Sequence, residues 1–260
     1  MAPLSPASFR FRLGLLVALA AAALAALAFL PPIPQDPAYH AFADTRAFLG
    51  LPNFWNVVSN APFLVVGGMG LGVLFGPRPP VWIDRRERWP FLVAFAGALL
   101  VGAGSSYYHW NPNNDTLFWD RLPMTLVFMG LFCAVIMERV HAKIGALLLL
   151  PFLGLGIWSV EIWRVKDDLR FYALVQFYPM LAIPLLALLF PARYSHGRML
   201  GWLAFWYGLA KLLEHFDLQV YEILRHVISG HSLKHVAAAM ALAAVADLLR
   251  RRRPLVGLSV

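Results

Sequence analysis

Long apolar stretches separated by short charged loops dominate the pattern of this chain. Uncharged windows such as Leu13 to Gln35 and Trp89 to Asn114 exceed the ~20 residues that a membrane-crossing helix needs. Helical spacing of apolar residues in 217–229 predicts an additional amphipathic helix along the membrane interface. The sequence therefore predicts an all-α fold, a polytopic membrane helical bundle. Its eight expected spans lie near residues 12–31, 55–76, 89–109, 117–138, 143–161, 170–191, 198–215 and 231–249.

The composition supports this interpretation, because 60% of the 260 residues are hydrophobic and only 14% are charged. In a typical soluble domain, about a quarter of all residues are charged. The net charge of +8 fits loops that face anionic lipid head groups. We therefore expect the lipid bilayer as partner, no nucleic acid, and no obligate protein partner. The single cysteine, Cys133, excludes an intrachain disulfide and a multi-thiolate metal site.

Basic residues are distributed unequally between the two sides of the expected bundle. Of the 22 Lys and Arg residues, fourteen lie on the side of both termini, five on the other side and three within spans. Loops on the cytoplasmic side of membrane proteins carry such an excess. We therefore predict that both termini are cytoplasmic. The bias toward Ala, Arg and Leu indicates a bacterial source, so the expected location is the inner or plasma membrane of a bacterial cell. The closing run Arg250 to Arg253 is interpreted as a charged anchor on that side.

The first span is separated from the other seven by the proline-rich segment Pro31 to Pro37. Arg10 and Arg12 before an Ala-rich stretch also fit a cleaved secretory signal. The length of the stretch favours a retained anchor instead. We therefore divide the chain into an N-terminal transmembrane anchor or signal with its outer loop, residues 1–52, and a seven-helix domain, residues 53–260.

Three histidines and one aspartate fall at the same end of the expected spans. His109 closes the third span, Asp120 opens the fourth, and His231 and His235 open the last. The four-residue spacing places the last two on one helix face, as in helical two-histidine metal sites. Catalytic zinc takes three protein ligands and leaves a fourth position for water. The sequence therefore predicts a zinc site at His109, His231 and His235.

The residues beside these histidines predict hydrolytic chemistry. Water bound to zinc has its pKa lowered to near 7 and would be the nucleophile. Asp120 would act as general base and then as acid, while Ser105 would stabilise the oxyanion or orient the water. Charges inside spans also indicate function, because they are costly in a bilayer; Lys211, Glu214 and Lys234 are such charges. Three further histidines near this end are left outside the set: His40, His215 and His226.

Three sequence blocks carry a pattern of specific spacing. They read NFWNVVSNAPF at residues 53–63, GAGSSYYHW and WDRLPM between 102 and 124, and SGHSLKH at 229–235. Together they resemble the alkaline ceramidase family, within the CREST superfamily of seven-span membrane hydrolases. The family pattern is Ser-x3-His, an Asp eleven residues later, and a distant His-x3-His. The matching residues are Ser105, His109, Asp120, His231 and His235.

The resemblance implies a seven-helix CREST-like core plus one extra N-terminal transmembrane helix, with zinc at the three histidines. It also implies hydrolysis of the ceramide amide, which releases a sphingoid base and a fatty acid. Arg121 departs from the pattern, because the family has an acid there. The calcium-binding acids of eukaryotic members are reduced to Asp36, Asp44 and Asn53, so calcium is doubtful. Asn56, Ser59 and Asn60 are expected to connect the second span to its neighbours by hydrogen bonds.

The substrate is left open by the sequence, which does not distinguish a ceramide from another N-acyl lipid or a glycerolipid ester. Aromatic residues at this end predict either the opening of a lipid site or an interfacial belt: Trp110, Phe118, Trp119, Phe216 and Tyr221. A metal-binding receptor or transporter is one rival function. A bis-histidine haem protein is another, and it would leave Asp120 and Ser105 without a role.

Overall fold

A computed structural model describes residues 4–255, and this part of the chain is a bundle of α-helices without a β-strand. The expected all-α class is thereby confirmed. Two short 3-10 helices, Pro37–His40 and Arg85–Glu87, lie in the loops. The α-helices are α1 (Pro6–Phe29), α2 (Phe54–Val58), α3 (Ala61–Phe75), α4 (Arg88–Trp110), α5 (Asn114–Arg139), α6 (Ala142–Lys166), α7 (Arg170–Leu189), α8 (Met199–His215), α9 (Asp217–Ile223) and α10 (Gly230–Arg251).

Seven helical segments among the described residues are long and apolar enough to cross a membrane, with α2 and α3 counted as one segment. The chain is therefore an integral membrane protein. Eight spans were expected, and the difference is α8, which has 17 residues and carries Lys211 and Glu214. Its length is at the lower limit of about 17 residues for a crossing helix.

The amphipathic helix expected over 217–229 is shorter in the structure. Helix α9 ends at Ile223, and the following segment contains Arg225 and His226 with φ angles of 52° and 62°. Such left-handed backbone ends a helix. The expectation was therefore correct for the first half of the segment and wrong for the second.

Helix α5 lies at the centre of the bundle, and 83% of the residues in its 18-residue apolar stretch are buried. It packs against α4, α6 and α7. Close contact with α4 depends on Gly104, because a Cβ atom there would collide with the carbonyl oxygen of Trp119. The glycine therefore brings the last turns of α4 against the first turns of α5.

Helix α1 lies on the outside of the bundle against α7, and Leu16 is its one buried residue. At its end, the Arg170 side chain donates a hydrogen bond of 2.7 Å to the Leu27 carbonyl oxygen. Asp168 holds that arginine in an ion pair of 2.7 Å, which lowers the pKa of the Asp168 carboxyl to about 2. A few polar links, among them the Tyr178 hydroxyl donating to the Leu16 carbonyl oxygen at 3.2 Å, and an apolar face thus attach α1 to the remaining helices.

The far end of the bundle, formed by the end of α5 and the start of α4, contains a buried ionic cluster. Arg252 is only 1% exposed and lies 3.6 Å from Glu87 and 3.7 Å from Glu138. Its guanidinium also stacks over the ring of Tyr194, 4.0 Å from the centroid. Within the run Arg250 to Arg253, interpreted as a charged anchor, Arg252 is therefore a buried packing residue, whereas the other three arginines are exposed.

Candidate metal centre

Helices α4 and α10 bring together the three histidines that the sequence singled out. His109, His231 and His235 are all buried, and one nitrogen from each lies within 4.8 Å of the others. The Nε2 atoms of His109 and His231 are 3.3 Å apart. Three buried imidazoles with converging nitrogens form a site that is able to bind a metal ion. We call the end of the bundle that contains them the site end.

The orientation of His235 is fixed by Ser59, which lies between α2 and α3. The Ser59 hydroxyl lies 2.8 Å from Nδ1 of His235, so Nε2 is left to point at the other two imidazoles. Ligating histidines usually bind a second group through the other ring nitrogen. Asn56 supports the same helix, because its Oδ1 accepts a hydrogen bond of 2.8 Å from Ser232. The expected polar links from Asn56 and Ser59 are therefore present, and Ser59 has a role at the site that the sequence did not assign.

The start of α10 is held by its own cap and by a neighbouring helix. The Ser229 side chain accepts the backbone N–H of Ser232, as N-cap serines do. The Asp217 carboxylate accepts the backbone N–H of His231 at 2.7 Å and that of Ala43 at 2.9 Å. Asp217 thus connects the loop before α2 to the first turn of α10 and fixes the height of His231.

Loop residues cover the outer side of the imidazoles. The ring of Phe42 lies 4.7 Å from the His109 ring and 4.6 Å from the His231 ring, centroid to centroid. His40 binds the Tyr108 hydroxyl through Nδ1 at 2.9 Å and is not part of the triad. Phe42 has no signal in the sequence, because it lies in a loop without a motif. Its ring shields His109 and His231 from solvent on this side.

Asp120 and Ser105 lie at the cavity that also reaches the histidine triad. Asp120 is 6% exposed and Ser105 is 2% exposed. Both line one large cavity together with His235. A carboxylate, a hydroxyl and one histidine of the triad therefore share access to whatever occupies the cavity.

The cavity has a volume of about 320 Å³ and extends away from the histidines between α5, α7, α8 and α10. Most of its walls are apolar, and they continue as far as Ile183 on α7 and Leu242 on α10. The seven residues from His235 to Leu242 correspond to roughly 10 Å along a helix. The cavity is therefore a deep apolar space with polar groups gathered near the histidines.

Charged residues of the expected spans meet in the wall of this cavity. Glu214 accepts hydrogen bonds from Lys211 and from Lys234, the latter at 2.7 Å. All three line the cavity. The charges that the sequence marked as costly inside a span are therefore paired with one another.

Arg121 is also buried in this wall and is 5% exposed. Its guanidinium carbon lies 4.2 Å from the ring centroid of Trp163, 4.9 Å from that of Tyr172 and 5.3 Å from that of Tyr39. Its Nη1 has no hydrogen-bond partner within residues 4–255. Aromatic faces stabilise the charge, and no carboxylate of this part of the chain pairs with it.

The aromatic residues at the site end are not part of the cavity wall. Trp110, Trp119 and Phe216 are between 44% and 59% exposed, which fits both an interfacial belt and the opening of a lipid site. Five residues of this group are absent from the lining of the cavity: Trp110, Phe118, Trp119, Phe216 and Tyr221. His215 and His226 are exposed and remain outside the triad.

The three oxygen donors considered for calcium have other partners. Asp36 accepts the backbone N–H of Ala38 at 2.8 Å, and Asp44 forms an ion pair of 2.7 Å with Arg46. The Asn53 side chain donates to the His109 carbonyl oxygen at 3.0 Å. Asn53 therefore positions the end of α4 rather than gathering with Asp36 and Asp44.

Comparisons with protein-family models, with curated proteins and with solved structures found no match to this chain.

Proposed function

We propose that this protein is a zinc-dependent membrane hydrolase of a lipid amide bond, similar in chemistry to the alkaline ceramidases. The observation that carries the proposal is that His235 of the histidine triad lines a largely apolar cavity together with Asp120 and Ser105. The cavity suits an acyl chain, and the polar end suits the bond that joins the chain to its head group.

The donor set supports zinc as the metal. Two nitrogens bound at about 2.0–2.1 Å to one tetrahedral zinc lie about 3.3 Å apart, and the Nε2 atoms of His109 and His231 have this separation. The Ser59 hydroxyl at Nδ1 of His235 is the kind of outer partner that fixes a ligand's orientation. Zinc, when bound, supplies a Lewis acid that makes water acidic enough to attack at neutral pH.

The side chains of the protein perform the proton transfers in this proposal. Asp120 accepts a proton from the attacking water while the water oxygen bonds to the carbonyl carbon of the amide. The Ser105 hydroxyl donates a hydrogen bond to the oxygen that becomes negative. Asp120 then gives the proton to the amide nitrogen as the C–N bond breaks, so that an amine and a carboxylic acid leave, and the acid afterwards loses its proton to water. No oxidant or further reactant is required.

The distribution of basic residues supports a site that faces away from the cytoplasm. Most of the loop Lys and Arg residues lie toward the far end and few lie at the site end. We therefore propose that both termini are cytoplasmic and that the active site lies on the extracytoplasmic side of a bacterial inner or plasma membrane.

Two rival functions explain less of this arrangement. Haem needs two axial histidines on opposite faces of a macrocycle, whereas the three imidazoles here converge within 4.8 Å. A receptor or transporter with a structural metal would not need a buried aspartate and a buried serine in the cavity that one of the histidines lines. Hydrolysis of a lipid ester uses the same groups and is an outcome of the test below.

The test is hydrolysis by the purified, zinc-loaded protein of a panel of ceramide, N-acyl amino lipids and glycerolipid esters, followed by mass spectrometry of the released fatty acid. We expect amide cleavage, and Asp120→Asn should retain the metal while losing about 10²- to 10⁴-fold in rate. Asp115→Asn, an exposed change at the start of the same helix, is the matched control and should act as the parent. Cleavage of esters alone would reject the amide assignment. Equal rates for Asp120→Asn and the parent would reject the role of Asp120.

A further inference from the structure

Arg121 offers hydrogen-bond donors that the described part of the protein leaves without an acceptor. It is buried, its Nη1 has no partner, and its guanidinium lies over the rings of Tyr39, Trp163 and Tyr172. Ring faces attract a cation but do not accept the paired N–H bonds that a guanidinium presents. A buried donor without an acceptor is costly, so an acceptor from outside the chain is the group that fits this position.

The charges of the cavity wall are also unbalanced. Lys211 and Lys234 share the single carboxylate of Glu214, and Asp120 is the one other acid among the lining residues. With Arg121 included, three cationic side chains face two carboxylates. A bound group with a negative charge would offset this surplus inside walls that are otherwise largely apolar.

From these two observations we propose that Arg121 binds an anionic head group, a carboxylate or a phosphate, on the acyl lipid that enters the cavity. This inference rests on the proposed function and narrows its substrate class to N-acyl lipids whose head group carries a negative charge. The planar fork of arginine matches both anions through two parallel hydrogen bonds. Asp120 and Arg121 line the same cavity, so one bound lipid is able to reach both side chains. Neutral ceramide would leave the guanidinium unpaired.

Binding is tested with three oleyl ethers that cannot be hydrolysed and differ only in the head group. They are 2-(oleyloxy)ethanol, oleyloxyacetic acid and 2-(oleyloxy)ethyl phosphate, titrated calorimetrically into the full-length, zinc-loaded protein. A charge-assisted hydrogen bond contributes about 1.5–3 kcal/mol, so we expect at least about tenfold tighter binding of one or both anionic ethers. The tighter of the two identifies the carboxylate or the phosphate as the natural anion.

Variants assign the preference to one side chain. Arg121→Gln should reduce the preference for the anionic ether to less than about threefold, because the fork and its charge are both lost. Arg164→Gln is the matched control, since Arg164 also lies over an aromatic ring at the site end but is 52% exposed and pairs with Glu161. It should keep the full preference. Arg121→Lys retains the charge without the fork and should give an intermediate preference.

Equal affinity of the parent protein for the neutral and anionic ethers would overturn the inference, and this comparison requires no variant to fold. A preference that survives Arg121→Gln unchanged would overturn it as well, because the anion would then bind the metal or the lysines. Hydrolysis is measured separately on the corresponding oleoyl amides. A clear anion preference without any hydrolysis would reject the proposed enzymatic function and leave the anion site in place.

Discussion

Ser59 Oγ lies 2.8 Å from His235 Nδ1, so a residue of the broken segment between α2 and α3 orients an imidazole on α10. The two residues are 176 positions apart in the chain. The geometry of the candidate metal centre therefore depends on how α10 packs against the segment formed by α2 and α3. Replacing Ser59 tests this dependence without removing any of the three histidines.

Replacing Ser59 with alanine should weaken metal binding by about 10- to 100-fold, the usual effect of losing an outer partner of a ligating histidine. The measurement is a competition titration of the purified protein with a chelator of known zinc affinity. Ser106→Ala serves as control, because the Ser106 hydroxyl binds the Val57 carbonyl oxygen and contacts no histidine. Unchanged affinity in Ser59→Ala would show that His235 does not depend on this hydroxyl.

Gly104→Ala should separate α4 from α5, because the added methyl group collides with the Trp119 carbonyl oxygen. Overpacking of this kind costs about 1–3 kcal/mol of unfolding free energy. Thermal denaturation in detergent should show a lower melting temperature and weaker zinc retention. Gly68→Ala is the matched change, since a Cβ there meets nothing within 4 Å. Equal melting temperatures for the two variants would contradict the close contact.

Arg252→Gln should destabilise the far end, because it removes the cation paired with the buried Glu87 and leaves Glu138 paired with Arg139 alone. Removing one partner of a buried ion pair typically costs about 3–5 kcal/mol. Unfolding by a denaturing detergent measures the loss. Arg251→Gln, which removes an arginine that is 63% exposed and paired with Asp247, should cost less than about 1 kcal/mol. A similar loss in both variants would show that the burial of Arg252 has no energetic importance.

The helical bundle was predictable from the sequence because a bilayer requires long apolar helices, and such helices produce long apolar stretches in the hydropathy pattern. The histidine triad was predictable for a related reason. The four-residue spacing of His231 and His235 fixes one helix face, and the hydropathy pattern sets the height of His109.

Contacts that depend on tertiary packing could not be predicted in the same way. Phe42 comes from a loop without periodicity, and its place over the imidazoles follows from how the loop is held by Asp217. The burial of Arg252 was not predicted, because a run of arginines at the end of a span indicates a cytoplasmic loop and does not show which arginine packs inward. The length of α9 was overestimated because the left-handed residues Arg225 and His226 carry no glycine signal.

The zinc content of the purified full-length protein tests the central claim most directly. Elemental analysis by mass spectrometry should find one zinc per chain in the parent protein and almost none in His109→Ala, His231→Ala and His235→Ala. His40→Ala, a change of the nearby histidine that binds Tyr108 instead, should retain the zinc. A folded parent protein that takes up no zinc, or variants of the triad that hold as much as the parent, would contradict the account.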